Sequence, residues 1–114
     1  MSYHVSVGGM KMRGWSVFFS VIRMTYRALK AARRAEGCVH ADIFRDGRRY
    51  FAFSVWDDEG AMKAYAHSGV HAQLMAQRHA WFAHFKNHSF ALDHVPSRQE
   101  AQALWEAAEE ANNP

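Results

Sequence analysis

The segment AYAHSGVHAQLM, residues 64–75, holds the residues of this chain best placed to do chemistry. Ser68 and Gly69 interrupt an apolar helical pattern that resumes at once. With Ser68 as N-cap, His71 becomes the third residue of the new helix. The positive end of a helix disfavours a further positive charge, so a neutral imidazole is expected there. A neutral imidazole beside a cavity can take a proton, ligate a metal or hydrogen-bond an aromatic hydroxyl. In a plainer role the same residue would close the helix break by bonding a backbone carbonyl.

Trp56, Tyr65 and Ser68, with Trp81, Phe82, Phe18 and Tyr26, are the candidate walls of a pocket for a flat ligand. Aromatic residues recurring at helical spacing also make an ordinary core, and most of these side chains have that second use. His4 and His40 lie in strand-like runs with Asp42. They form either a histidine–acid pair that fixes a tautomer or a polar seam on a sheet face. His67 with His71, and His84 with His88, have the i, i+4 spacing of helical metal ligands. Gly69 interrupts the first pair, the second runs past its helix, and neither carries an inner glutamate, so no metal is expected. Cys38 is the only cysteine. It offers neither a disulfide nor a thiolate zinc site, and it reads as structural.

The elements that must position these residues follow from periodicity. Tyr3–Val7 alternates as a first strand, broken or bulged at Gly8-Gly9. A long helix spans roughly 13–36, with Trp15, Phe18, Phe19, Ile22, Tyr26 and Leu29 as its core stripe. Arg23, Arg27, Lys30 and Arg34 occupy another face. Residues 38–56 read as a hairpin turning at Asp46-Gly47. Asp57 or Asp58 caps a helix over about 58–67, and a second helix covers about 69–86 with Val70, Leu74, Trp81, Phe82 and Phe85 as its stripe. Residues 89–95 make a last strand. Ser97–Glu100 spells a capping box for a terminal helix, 97–111. The order is β-α-β-β-α-β plus that helix. It predicts an α+β, ferredoxin-like antiparallel sheet with helices on one face, in a single domain over 1–114. The other face carries enough apolar residues to call for a second copy.

Length and composition set outer limits. The chain has 114 residues and is 49% hydrophobic, enough for one packed core. Residues 97–114 hold one arginine against four glutamates, a net of −3, which leaves +6 on residues 1–96 of the overall +3. The basic helix face lacks a Gly-rich phosphate loop and a stacking platform, so no nucleic-acid partner is expected. It reads as a solvated face or as a dock for the acidic last helix. The N-terminus lacks a secretory pattern, and the most apolar run is cut by Arg23 and Arg27, so neither a signal nor a membrane span is expected. A cytoplasmic protein is the resulting expectation.

The stretch YFAFSVWDDEGAMKAYAHSGVHAQLM resembles the third-strand and second-helix segment of the dimeric α+β barrel superfamily, which includes the antibiotic-biosynthesis monooxygenases. Its marks are a strand ending in tryptophan, acids and a short helix, then Ser-x-x-His opening the next helix. AWFAHFKNHSFALDHVPSRQEAQALW resembles a narrower group of small bacterial proteins near the spheroidene-monooxygenase-like branch. The resemblance covers roughly residues 38–105. It implies a homodimer closed into an α+β barrel, and it places His71 on a histidine that in several relatives faces the pocket between sheet and helices. The function it implies is a monooxygenase-like protein acting without cofactor on an aromatic or polycyclic small molecule, with His71 as the catalytic base or orienting group. Two alternatives stand beside it. One is a haem-binding or haem-degrading barrel with His71 as axial ligand. The other is a non-catalytic dimer that binds a small molecule.

Overall fold

The computed structural model describes residues 2–67 and 69–112. Four strands form one antiparallel sheet: β1 (Tyr3–Met12), β2 (Cys38–Asp46), β3 (Arg49–Trp56) and β4 (Phe82–Leu92). Their order across the sheet is β2-β3-β1-β4, the ferredoxin-like arrangement expected. Helices α1 (Phe18–Arg34), α2 (Glu59–Ala66), α3 (Gly69–Ala76) and the single turn α4 (Arg78–Trp81) link them, and α5 (Arg98–Asn112) follows.

Local signals account for several boundaries. The β2–β3 turn places Gly47 at φ 62, where a glycine carries no steric penalty. The Asp58 carboxylate accepts from the Gly60 amide at 3.3 Å and opens α2. The Ser97 hydroxyl accepts from the Glu100 amide at 3.1 Å and opens α5. The Glu100 carboxylate does not complete the box; it accepts from His94 Nε2.

Strand alternation divides the core in two. On one face, Val5, Val7, Phe51, Phe53 and Val55 pack against Ala101 and Trp105 of α5. On the other, Met10 and Phe82 pack against Val21 and Ala28 of α1 and Leu74 of α3. The acidic last helix therefore lies across the sheet from α1, and docking between their charged faces is overturned. Trp105 decides this: its ring lies over Gly9 and leaves no room for a Cβ there. The apolar strip assigned to a second copy is instead covered over β1 and β4 by the chain's own last helix.

Three further expectations change. β1 does not stop at Gly8-Gly9 but runs on to Met12, because Gly9 makes room for the indole. α1 is turned about one residue from the expected stripe. Val21, Thr25, Ala28 and Ala32 are buried, while Trp15, Phe19 and Tyr26 are 86%, 82% and 58% exposed. Small side chains let the helix sit close to the sheet, and the large rings are left outside. Finally, the helix expected over 69–86 ends early, and residues 82–88 belong to β4. Met12 pairs with Phe82 but Lys11 with His84, so Ala83 is an extra residue in the ladder. That bulge puts Phe82 and Phe85 on one face three residues apart, which imitates helical spacing.

Candidate functional site

Between the sheet and helices α1 and α3 lies a cavity of about 90 Å³. Its floor is two rungs in which small residues predominate. Ala41, Ser54 and Ser6 are partners across β2, β3 and β1; Ile43, Ala52, Gly8 and Asn87 are partners across all four strands. The next rung, Tyr50, Met10 and Phe85, is large and closes that end. Thr25, Ala28 and Ala32 of α1 form one wall; His71, Leu74 and Met75 of α3 form another.

His71 lines this cavity. Its Nδ1 lies 3.1 Å from the Ala66 carbonyl oxygen. A carbonyl only accepts, so Nδ1 carries the hydrogen and Nε2 keeps its lone pair. Burial holds the ring below the ordinary value of 6.5, against the opposing pull of that carbonyl, and the imidazole is neutral at pH 7. Tyr65 stands beside it, ring centroids 5.1 Å apart, and its hydroxyl donates to the Ala28 carbonyl at 2.7 Å. Burial pushes the Tyr65 hydroxyl up to about 12, so it stays protonated and acts as a strut between α2 and α1. The other face of this cluster is Trp56, 5.3 Å from Tyr65, whose indole N–H donates to Ser54 Oγ at 2.8 Å.

The expected site residues separate clearly. His71 and Tyr65 meet at the cavity wall, and Trp56 is fully buried behind them. Ser68 and the side chain of Val70 lie outside the described residues. Phe82 is buried and Trp81 half-buried in the neighbouring core cluster, beyond the large rung. Phe18 packs on Trp15 and Phe19, and Tyr26 borders a separate cleft with Ile22 and Tyr50. These four are not walls of the cavity, for the reasons of helix rotation and bulge given above. Ser6, Ser54, Ala52 and Asn87 were missed. The period-two alternation of FAFSV, residues 51–55, is the signal that points to a small-residue face.

The histidine–acid pair does not form. His40 and Asp42 lie on the α5 face, where His40 packs on Phe53 and the Asp42 carboxylate accepts two bonds from Arg98; His4 is on the opposite face. The Arg98 hydrogen bond holds Asp42 below the usual carboxylate range. His84 and His88 flank Trp105, and His88 bonds Glu109 at 2.9 Å. Among the described residues no group of three metal-ligating side chains converges. No described helix is long and apolar enough to cross a membrane.

Residues 25–111 match a protein family described as a domain of unknown function, DUF3291. The chain belongs to this family. No curated protein matches it significantly. Among solved structures it is similar to SnoaB, a cofactor-independent oxygenase from Streptomyces nogalater, at 17% identity and a TM-score of 0.67, covering 82% of this chain and 95% of that one. An antibiotic biosynthesis monooxygenase superposes at 14% identity and TM-score 0.67, covering 82% and 99%. Rv0793 from Mycobacterium tuberculosis superposes at 12% and 0.70, covering 84% and 98%. The DUF3291 chain thus has the antibiotic-biosynthesis-monooxygenase-like fold, and at these identities the likeness is one of fold.

Proposed function

We propose that this chain is a small-molecule-binding protein with monooxygenase-like chemistry, acting without cofactor on an oxidisable phenol-type aromatic compound. The observation that carries this reading is the His71 ring: neutral, its tautomer fixed by Ala66, and its Nε2 without a partner among the described residues, in the wall of the cavity. Nε2 takes a proton from the substrate, and the resulting carbanion passes electrons to dioxygen in a site shielded from water. For a methylene carbon the balance is complete. Two C–H bonds and the O–O bond break, one oxygen ends as C=O, and the other leaves with both hydrogens as water. The carbon gives up four electrons and dioxygen takes them.

The cavity as it stands is smaller than the roughly 300–1,000 Å³ of ordinary ligand sites. An aromatic ligand therefore enters by displacing Leu74 and Met75 of the eight-residue α3; an unbranched thioether repacks at little cost. A second reading, a binding protein without turnover, rests on the same cavity. Haem fits less well: His71 Nε2 is available as a ligand, but a macrocycle exceeds the cavity several-fold, and no step is drawn through it. Pairing of two copies, which the family resemblance suggests, would have to involve surfaces other than the strip under Trp105.

Oxygen uptake with anthrone, which would yield anthraquinone and water, tests the enzyme reading. Uptake is expected to fall at least tenfold in His71→Gln. Anthrone binding with unchanged uptake over the uncatalysed rate would leave only the binding reading. A Soret band after mixing with haemin would bring the haem reading back.

A further inference from the structure

The hydrogen-bonding groups around the cavity are unequally committed. Thr25 donates its hydroxyl hydrogen to the Val21 carbonyl at 2.6 Å, and Tyr65 donates its own to Ala28. His71 donates from Nδ1 to Ala66. Ser6 donates to Asn87 Oδ1 at 3.1 Å. Two donors remain. Ser54 accepts from the Trp56 indole, and among the described residues nothing takes its own hydroxyl hydrogen. Asn87 accepts from Ser6 through Oδ1, and among the described residues nothing takes its amide hydrogens.

Ser54 and Asn87 stand on either side of Ser6 and Gly8, on strands β3 and β4, and both line the cavity. Each is held by a neighbour that fixes its direction: Trp56 holds Ser54, and Ser6 holds Asn87. A sheet face that only had to pack against α1 would gain nothing from three polar side chains running from β3 to the edge strand. The lone pair left over on the wall, at His71 Nε2, is an acceptor, so the floor supplies donors and the wall supplies an acceptor.

Resting on the reading of this cavity as a ligand site, we propose that Ser54 and Asn87 form an oxygen-binding pair. It takes the hydroxyl, phenolate or carbonyl oxygen of a planar aromatic ligand. Asn87, exposed on the edge strand, receives that oxygen at the mouth; Ser54 holds it within. Ser6, whose hydroxyl donates to Asn87 Oδ1, is the positioning residue. The pair selects an oxygen-bearing ring over a hydrocarbon of equal shape, because an apolar group there would leave two donors without partners.

The test is a titration of the full chain by fluorine NMR with 4-fluorophenol and 4-fluorotoluene, which differ by a hydroxyl for a methyl. 4-Fluorophenol is expected to bind about tenfold more tightly. In Asn87→Leu, which leaves Ser54 in place, that preference should fall at least about threefold, with 4-fluorotoluene affinity not weakened. Ser6→Ala should lose part of it. Ser54→Ala also orphans the Trp56 N–H, so Asn87→Leu is the decisive variant. Equal affinity for both probes in the wild type, or a preference undiminished in Asn87→Leu, overturns the oxygen-binding pair alone. Binding of neither probe overturns the pair together with the ligand-site reading beneath it.

Discussion

The two faces of the sheet are built from the same strands in opposite ways. In β3, residues 51, 53 and 55 are Phe, Phe and Val, and all are buried in the core cluster that Trp105 of α5 joins. Residues 52 and 54, between them, are Ala and Ser and floor the cavity. β1 repeats the contrast, with Val5 and Val7 against Ser6 and Gly8. One face is filled to completion by a tryptophan; the other is kept short of side chain beneath α1 and α3. A two-residue period is therefore enough to give one sheet a load-carrying face and a hollow one.

Removing the tryptophan tests the filled face most severely. Trp105→Ala is expected to cost about 3–5 kcal/mol in urea unfolding, since it empties the space over Gly9 and Phe51. If the loss were under 1 kcal/mol, α5 would be an accessory and the contrast between faces would collapse.

The adjacent glycines sharpen it. Gly9→Ala puts a Cβ against the indole and should cost about 1–3 kcal/mol. Gly8→Ala meets Asn87 Oδ1 at 3.4 Å, the Ala52 carbonyl at 3.8 Å and the Phe85 ring at 3.9 Å, all ordinary contacts, so it should be neutral or gain up to about 0.5 kcal/mol. Like signs for the two substitutions, measured by thermal melting, would contradict the assignment of faces. A smaller effect is expected on the hollow side from Tyr65→Phe, which keeps the ring and drops its bond to Ala28, at about 1 kcal/mol.

The smallest effect is one of pH. The folded His71 ring titrates below its ordinary value of 6.5, so the unfolded chain binds more protons between those two points. Stability should fall as pH drops below 6.5 and level off once the folded ring is protonated too. His94, raised by Asp93 and Glu100, tilts the opposite way. The observable is thus the difference in urea midpoint between wild type and His71→Gln at pH 7.5 and 5.5. An identical pH slope in both proteins would mean that His71 is solvated.

Much of this was legible in the chain because it is local. The Asp46-Gly47 turn, the Asp58 and Ser97 caps and the order of elements each depend on a few neighbouring residues. His71 beside Tyr65 was legible as a helix break with an aromatic one turn before it. The face of α1 was not. Apolar weight favours the ring-bearing side, whereas close approach to a sheet favours Val21, Thr25, Ala28 and Ala32, and nothing in the helix itself says which wins. Nor was the start of β4, since one bulged residue gives Phe82 and Phe85 a helical spacing. Ser6, Ser54 and Asn87 come from three strands, and they become a group only once register sets them side by side.

The indole over Gly9 also has a consequence for descent. A side chain at position 9 and a tryptophan at position 105 exclude each other, so two sites near opposite ends of the chain form one inherited choice. Family members that carry a larger residue at the first site must have lost the ring at the second or moved the helix that bears it. An alignment of the family would show the two columns changing together, with the glycine as the marker of chains whose last helix folds onto their own sheet.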